Sequence, residues 1–516
     1  MKKSLYLVFS LVLVLAFVLS ACTTAKTEIP VATESPAGTD AVTTEAPAPA
    51  EPPVEIHFYF TSFNKIPETD AIESVEEALN AITVPKINAT IKLHPTFVAN
   101  YTQQINLALQ SGEGLDVFHT LGDFPQYVSQ NKVIDITDMI DTDAPEAKAI
   151  VGETFLKTST IQGRLYGIPD LKGYALAPVL AYRNDIMQEI GVDPSTIKTV
   201  NDLTAVFEKV KAKYPDMIPL APVNTGVSGL IQSIFGIDYL GDDYYSPKGV
   251  LVGDSLTVVD FYQTQEFKDA VTLAREWYNK GLIMKDAATS TSTALELLTS
   301  GKAFSYIASY SGNQAYVQIS AQSGQDIKML RVAQPYLGTS SVNSLTHAVA
   351  STSKHPEEAL KFINLLFTDK DVINLVIYGL EGRDYVKTDE DHVKYPDGQD
   401  GNTVPYTAQL SCGIVGNQFI QYAMDGTDMA DLELWDYENK NSALSPAMGF
   451  TFDNSSVSNE VSAVVNVINE YLPSLQTGSV DPEVELPKFI EKLKAAGLDK
   501  IIAAKQAQLD EWLKIQ

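Results

Sequence analysis

Only two cysteines, Cys22 and Cys412, occur in 516 residues, so no disulfide framework holds this chain together. The six histidines (His57, His94, His119, His347, His355 and His392) are scattered without metal-ligand spacing, and no CxxC pair accompanies them. No HExxH, GxSxG, Walker-type GKS or GKT, or GxGxxG segment occurs, which removes the commonest metalloprotease, serine hydrolase, nucleotide and dinucleotide sites. Asp397-Gly-Gln-Asp-Gly-Asn402 faintly suggests a calcium loop but lacks the terminal bidentate acid, and reads as a solvated turn. No metal or cofactor is expected. Positive charge is scarce as well: 37 Lys and Arg stand against 65 Asp and Glu, a formal charge of −28. Such a field repels nucleic acid and anionic headgroups, so DNA or RNA binding is excluded as the main role. The acidity reads as a soluble, well-solvated surface.

The longest apolar run, Leu5 to Leu19, is about 15 residues, short of the roughly 20 that span a bilayer as a helix. It follows Lys2 and Lys3 and ends Leu19-Ser20-Ala21-Cys22, an arrangement similar to the bacterial lipobox. Residues 1–21 are then a leader. The Cys22 thiol takes a diacylglyceryl group, and its freed amine becomes the new terminus. The plainer alternative is a secretory leader that happens to end at cysteine. With Cys22 consumed, Cys412 has no partner and is expected as a small buried apolar residue. Residues 23–54 carry no aromatic side chain and six prolines, so they cannot bury enough surface to order themselves. Residues 22–54 form a tether reaching about 100 Å when extended and roughly 30 Å when relaxed. The body is thus held on the outer face of the membrane, at high local concentration beside a membrane partner.

The remaining length exceeds one core and suits two or three domains. Val54 to Phe60 alternates as a strand, and a helical pattern follows from about Pro67 to Ile82. A second strand is read at Ala89–His94, then a helix from Tyr101 to Gln110 stopped by Gly112 and Gly114, then a strand at Leu115–Phe118. This β-α-β-α-β order predicts a largely parallel sheet with helical layers. Further strands are read at Ala175–Tyr182, Ala303–Ala308 and Ile327–Val332. Core-facing helical stripes run Leu203, Val206, Phe207, Val210 and Phe267, Ala270, Val271, Ala274, with Trp277 or Tyr278 next. A proline-started helix follows His355, and the last seventy or so residues are mostly helical, with Asp481-Pro482 as cap and first turn and Gly497 as a break.

Several stretches, in this order, resemble the family 1 extracellular solute-binding proteins, of which maltose-binding protein is the familiar member. They are Leu115-Asp-Val-Phe118, Tyr166-Gly-Ile-Pro169, Tyr182-Arg-Asn-Asp185, Glu276-Trp-Tyr-Asn-Lys-Gly281, Gly301-Lys-Ala-Phe304 and Lys354-His-Pro-Glu-Glu-Ala-Leu-Lys-Phe362. Tyr378-Gly-Leu-Glu-Gly-Arg-Asp-Tyr385, with Ser445 to Asp453 and Gln508 to Trp512, resembles the LplA-type lipoprotein subgroup with its distinctive C-terminal domain. The resemblance implies an α/β, periplasmic-binding-protein-like fold: two α/β lobes with a hinge and an interlobar cleft. By analogy lobe one is 55–184 plus 343–385, and lobe two is 185–342 plus 386–516. Crossings would fall near Tyr182, Asn343 and Tyr385.

A sugar ring presents an apolar C–H face to aromatic rings and hydroxyls to planar acceptors and donors. In open α/β sheets such ligands sit beyond the carboxyl ends of strands. That rule favours Phe63 and Asn64 after the first strand, Asp123 after the third, and Tyr310 after the Ala303 strand. Tyr182 at the crossing, Glu381 with Arg383, and Phe450 or Phe452 complete the candidate set; Glu381 and Arg383 equally suit an exposed ion pair. The expected function is capture of a mono- or oligosaccharide for the permease of an ABC importer, by a monomer that performs no catalysis. Two alternatives stand beside it. One is a cell-surface glycoside hydrolase, which needs two carboxylates flanking one bond. The other is a binder of the same fold for a peptide or another small polar solute.

Overall fold

A computed structural model describes residues 52–515 except 64, 113, 123, 244, 311–315, 317–318, 321–322, 343–344 and 408–412. Cys22, most of the tether, Asn64, Asp123 and Cys412 therefore lie outside the described residues.

The first strand, Val54–Ser62, points Ile56, Phe58 and Phe60 into one core in strict alternation. It pairs in parallel with Ala89–Phe97 on one side and Val117–His119 on the other. Thr346–Val349 returns antiparallel beside Val117–His119, and Ile168–Pro169 closes the five-stranded sheet. Helix Thr69–Ile87 covers one face through Ala71, Val75 and Leu79, and ends where Asn88 turns left-handed. Helix Val98–Ser111 covers the other face through Tyr101 and Ile105 and stops at Gly112. The β-α-β-α-β order read from the sequence is present, with helix ends shifted by a few residues.

A second, four-stranded mixed sheet has the order Ile327–Arg331, Ala177–Arg183, Ala303–Tyr310, Ile218–Leu220. Its core gathers Leu203, Val206, Phe207 and Val210 from one helix, and Ala274 and Trp277 from another. Trp277 resolves the Trp277-or-Tyr278 choice: it is fully buried, edge-on to Phe207, and its Nε1–H donates to Thr204 Oγ1 at 2.9 Å. The C-terminal helices Ser458–Gln476, Pro482–Ala496 and Leu498–Leu513 form a third packed layer against residues 231–271. Asp481 caps the second of these, accepting the Glu483 N–H at 3.0 Å, and Gly497 (φ 102°) ends it.

Two expected boundaries move. Ala177–Arg183 is a central strand of the second sheet, so the chain crosses between lobes before Ala177 and not at Tyr182. The apolar run around it reads the same in either sheet, and nothing local says which. The stretch after Tyr385 does not leave the first lobe either. Val393, Tyr406, Ile414, Val415 and Tyr422 all join the first core, as does Met448 further on, and a short strand between them runs beside the stretch leading to Leu337 of the same core. There Ala443–Leu444 pairs in parallel with Tyr336–Leu337.

Candidate functional site

The first-lobe strand ends, where ligand contact was expected, are covered by the chain's own residues 413–418. Asp170, fully buried, accepts the Gly416 N–H on Oδ1 at 2.7 Å and holds His347 Nε2 at 2.9 Å. His119 Nδ1 reaches the Ile414 carbonyl at 3.0 Å. Leu171 and the segment exchange two further backbone bonds, Leu171 N–H to Gly416 O and Gln418 N–H to Leu171 O, both at 2.8 Å. Gly416 has φ 59°, and a Cβ there would collide with the Leu366 carbonyl, so only glycine lets the segment lie this close. Thr61, Ser62, His119 and Thr120 are consequently sealed from solvent.

Burial, reinforced by neighbouring His347, holds His119 down at about 4, against its ordinary 6.5. The unfolded chain then binds the extra proton between those values, so this contribution to stability is complete above pH 6.5 and is lost as pH falls towards 4. From pH 7 to pH 5 the group should remove about 2 kcal/mol. Urea unfolding of His119→Gln should show a correspondingly shallower pH slope than the parent protein. Equal slopes would remove this account.

The open concave surface lies elsewhere. A cavity of about 220 Å³ is lined by Leu176 and Pro178, by 232–242 in part, by Ser309, and by Gln334, Tyr336, Gly338 and Ser341. It therefore sits where the two crossings meet the second lobe. Phe235, 48% exposed, stands edge-on to Tyr336 with centroids 5.9 Å apart, giving the cavity an aromatic wall. Asp238, fully buried, fixes that wall to the second crossing: Oδ1 accepts from Thr339 Oγ1 and the Leu240 N–H, each at 2.8 Å. Leu240 itself is held at φ 51°, a costly backbone for a branched side chain that the Asp238 bond stabilises. Burial, then nearby Asp238, pushes the Tyr336 hydroxyl well up, so it stays a neutral donor. A second chamber of about 190 Å³ shares Gln232 and Ser309 with the first and adds Tyr245, Tyr310 and Ala308. Gln232 Oε1 is buried at this junction with no hydrogen-bond partner among the described residues.

Of the residues expected from sequence, Tyr310 lines the second chamber, its hydroxyl 3.0 Å from that of Tyr306. Phe63 is 39% exposed just past the carboxyl end of the first strand, lining neither chamber. Tyr182 is only 4% exposed, packed beside Phe304 in the second core. Phe450 is buried among Leu240, Leu251, Val258 and Leu509 with Trp512 edge-on, so it is a packing residue. Glu381 and Arg383 are not paired with each other. Glu381 faces Lys387 at 3.7 Å, while Arg383 forks onto buried Asp384 at 2.7 Å and reaches the Ala71 carbonyl. Phe235, Asp238 and Tyr336, which line the first chamber, are not among the residues expected from sequence. The signal was present in Phe235-Gly-Ile-Asp-Tyr-Leu-Gly-Asp-Asp243, a glycine-punctuated loop rich in aromatics and acids. Among the described residues no three His, Cys, Asp or Glu side chains gather as a metal-ligand set.

Two α/β layers joined by crossing segments, with an aromatic-walled cavity where the crossings meet one lobe, define a periplasmic-binding-protein-like fold. The chain belongs to the bacterial extracellular solute-binding protein family, which residues 77–379 match; residues 446–514 match a separate domain of unknown function. A carbohydrate ABC transporter substrate-binding protein of Streptococcus pneumoniae serotype 4 is 25% identical over 456 residues, covering 86% of this chain and 89% of that one. The polygalacturonan/rhamnogalacturonan-binding protein YtcQ of Bacillus subtilis strain 168 is 23% identical over 504 residues, covering 90% and 93%. The crystal structure of the N-glycan transport solute-binding protein NgtS from Streptococcus pneumoniae superposes with TM-score 0.75 at 24% identity, covering 89% of this chain and 99% of that one. The same protein in complex with Man5GlcNAc superposes at 0.62, again at 24% identity and with the same coverage.

Proposed function

We propose that this protein is the carbohydrate-capturing subunit of an ABC importer, tethered outside the cell by lipid on Cys22. The observation that carries the reading is the pair of chambers sharing Gln232 and Ser309, with Phe235 and Tyr336 in one and Tyr245 and Tyr310 in the other. Rings at both ends of a continuous groove suit a ligand of more than one sugar unit, one C–H face per chamber, with hydroxyls meeting Gln232, Ser309 and the acids. Both carboxylates lining the first chamber are bonded within the chain, Asp238 to Thr339 and Asp242 to Lys505. That commitment supports binding without bond cleavage. The carbohydrate, galacturonan and N-glycan ligands named for the relatives support the same solute class. Ligand touching both lobes would bias a hinge closure that the permease reads.

The test is a thermal-shift panel of oligomannose, oligogalacturonide, arabino-oligosaccharide and fructo-oligosaccharide on protein first unfolded and refolded to shed carried ligand. A matching glycan at a hundred times its Kd should add about 2.7 kcal/mol to stability and be recovered intact. Released products would instead identify a hydrolase. A shift with a peptide mixture and none with glycans would move the ligand class.

A further inference from the structure

The C-terminal helical unit, which matches a domain of unknown function over residues 446–514, packs directly behind the aromatic cavity. The wall strand Ile237–Asp238 pairs antiparallel with Leu251–Val252, and Ile237 lies in one core with Phe489, Leu493, Leu498 and Ile501. From helix Leu498–Leu513, Gln506 Oε1 accepts the Val258 N–H at 2.6 Å, and Leu509 seals Leu240 and Leu251. One side chain of this helix is out of keeping with packing alone. Lys505 is fully buried, its Nζ 2.7 Å from Asp242 Oδ2 and 2.9 Å from the Gly249 carbonyl, beneath the Phe452 ring at 5.2 Å. Asp242 lines the cavity and also takes the Lys248 backbone N–H at 2.7 Å and the Lys248 ammonium at 3.2 Å. Among the described residues, Lys505–Asp242 is the one ion pair joining residues 446–514 to a cavity-lining residue.

Burying an ammonium group costs far more than burying a methionine of similar length. Such a group is best explained by what it holds in place. We propose that the C-terminal unit is a built-in part of the ligand site, with Lys505 a positioning residue that clamps Asp242 and thereby keeps the Phe235–Asp242 wall in its receiving shape. Burial lowers the Lys505 pKa while Asp242 opposes the shift, consistent with a charge retained only because its partner is there. The clamp closes on the far side of the same segment that Asp238 ties to Thr339, so the wall is pinned at both ends. This inference rests on the cavity being the ligand site.

The experiment compares Lys505→Met with Leu203→Ala in the full chain; Leu203 is buried in the second-sheet core, which contains none of residues 235–242. Both variants should lower the melting temperature. Only Lys505→Met should speed amide hydrogen exchange across Phe235–Asp242 by tenfold or more, with the helices Ser458–Gln476 and Pro482–Ala496 unchanged. Using Man5GlcNAc as the probe well below either melting temperature, Lys505→Met should bind at least tenfold more weakly and Leu203→Ala as the parent does. Lowered melting with unchanged exchange at Phe235–Asp242 would overturn the proposal and leave Lys505 a packing residue. If the parent protein ignores Man5GlcNAc, the choice of sugar fails while the exchange comparison still decides the clamp. Should Lys505→Met not fold, Lys505→Gln, which keeps a donor for Gly249 and removes the charge, carries the same comparison.

Discussion

Asp170→Ala is expected to remove about 3–5 kcal/mol of unfolding free energy, read as a lower urea midpoint at unchanged slope. The carboxylate is fully buried, holds His347 Nε2 at 2.9 Å and takes the Gly416 N–H at 2.7 Å. Truncation strands both partners in a fully buried site without their acceptor. It also unpins residues 413–418 from the strand ends they cover, so Thr61, His119 and Thr120 meet solvent in a site shaped for none. Glu381→Ala serves as the control: its carboxylate is 55% exposed and 3.7 Å from Lys387, and its loss should change stability by less than about 0.5 kcal/mol. Similar costs for the two variants would mean that the 413–418 cover is not held by Asp170.

The second large effect concerns affinity. Phe235→Ala and Tyr310→Ala should each weaken glycan binding roughly thirtyfold, as loss of a central aromatic anchor does at other recognition surfaces. Phe235 is 48% exposed, so its truncation leaves no core void and should hardly move the melting temperature of the free protein. Tyr310 is half-buried against Tyr306, and a modest loss of stability should accompany its loss of affinity. Combining the two should be close to additive, because the rings stand in separate chambers joined only through Gln232 and Ser309. Calorimetric titration with the best glycan of the panel checks both. Retained affinity in Phe235→Ala would move the site out of the first chamber.

The elements were legible in the sequence because local periodicity carries them. Leu203, Val206, Phe207 and Val210 are buried as their spacing demanded, and Asp481, Pro482 and Gly497 cap and break helices where their chemistry predicts. The site was legible only in part. The strand-end rule pointed to Tyr310, which lines the second chamber, since the last side chain of a sheet strand inherits its position from the strand itself. At the first sheet Asn64 and Asp123 lie outside the described residues, and residues 413–418, with Gly416 246 positions downstream of Asp170, occupy the space over the strand ends. No local pattern announces such an occupant. Tyr182 and Phe450 pack in cores, which the sequence does not announce: an aromatic side chain has the same appearance in a core as beside a ligand, and only the tertiary fold separates them. Phe235 and Asp238 carry no periodic signal because one stands in a turn and the other on a two-residue strand, Ile237–Asp238, too short to generate a period.

The same 246-residue leap between Asp170 and Gly416 bears on how the molecule is made. A chain that emerges from its N-terminus has completed its first three strands and both covering helices long before the piece that closes them exists. The buried Asp170–His347 pair cannot reach its final surroundings before Gly416 exists, so closing this core rests on a contact of very high sequence separation, the kind that slows folding.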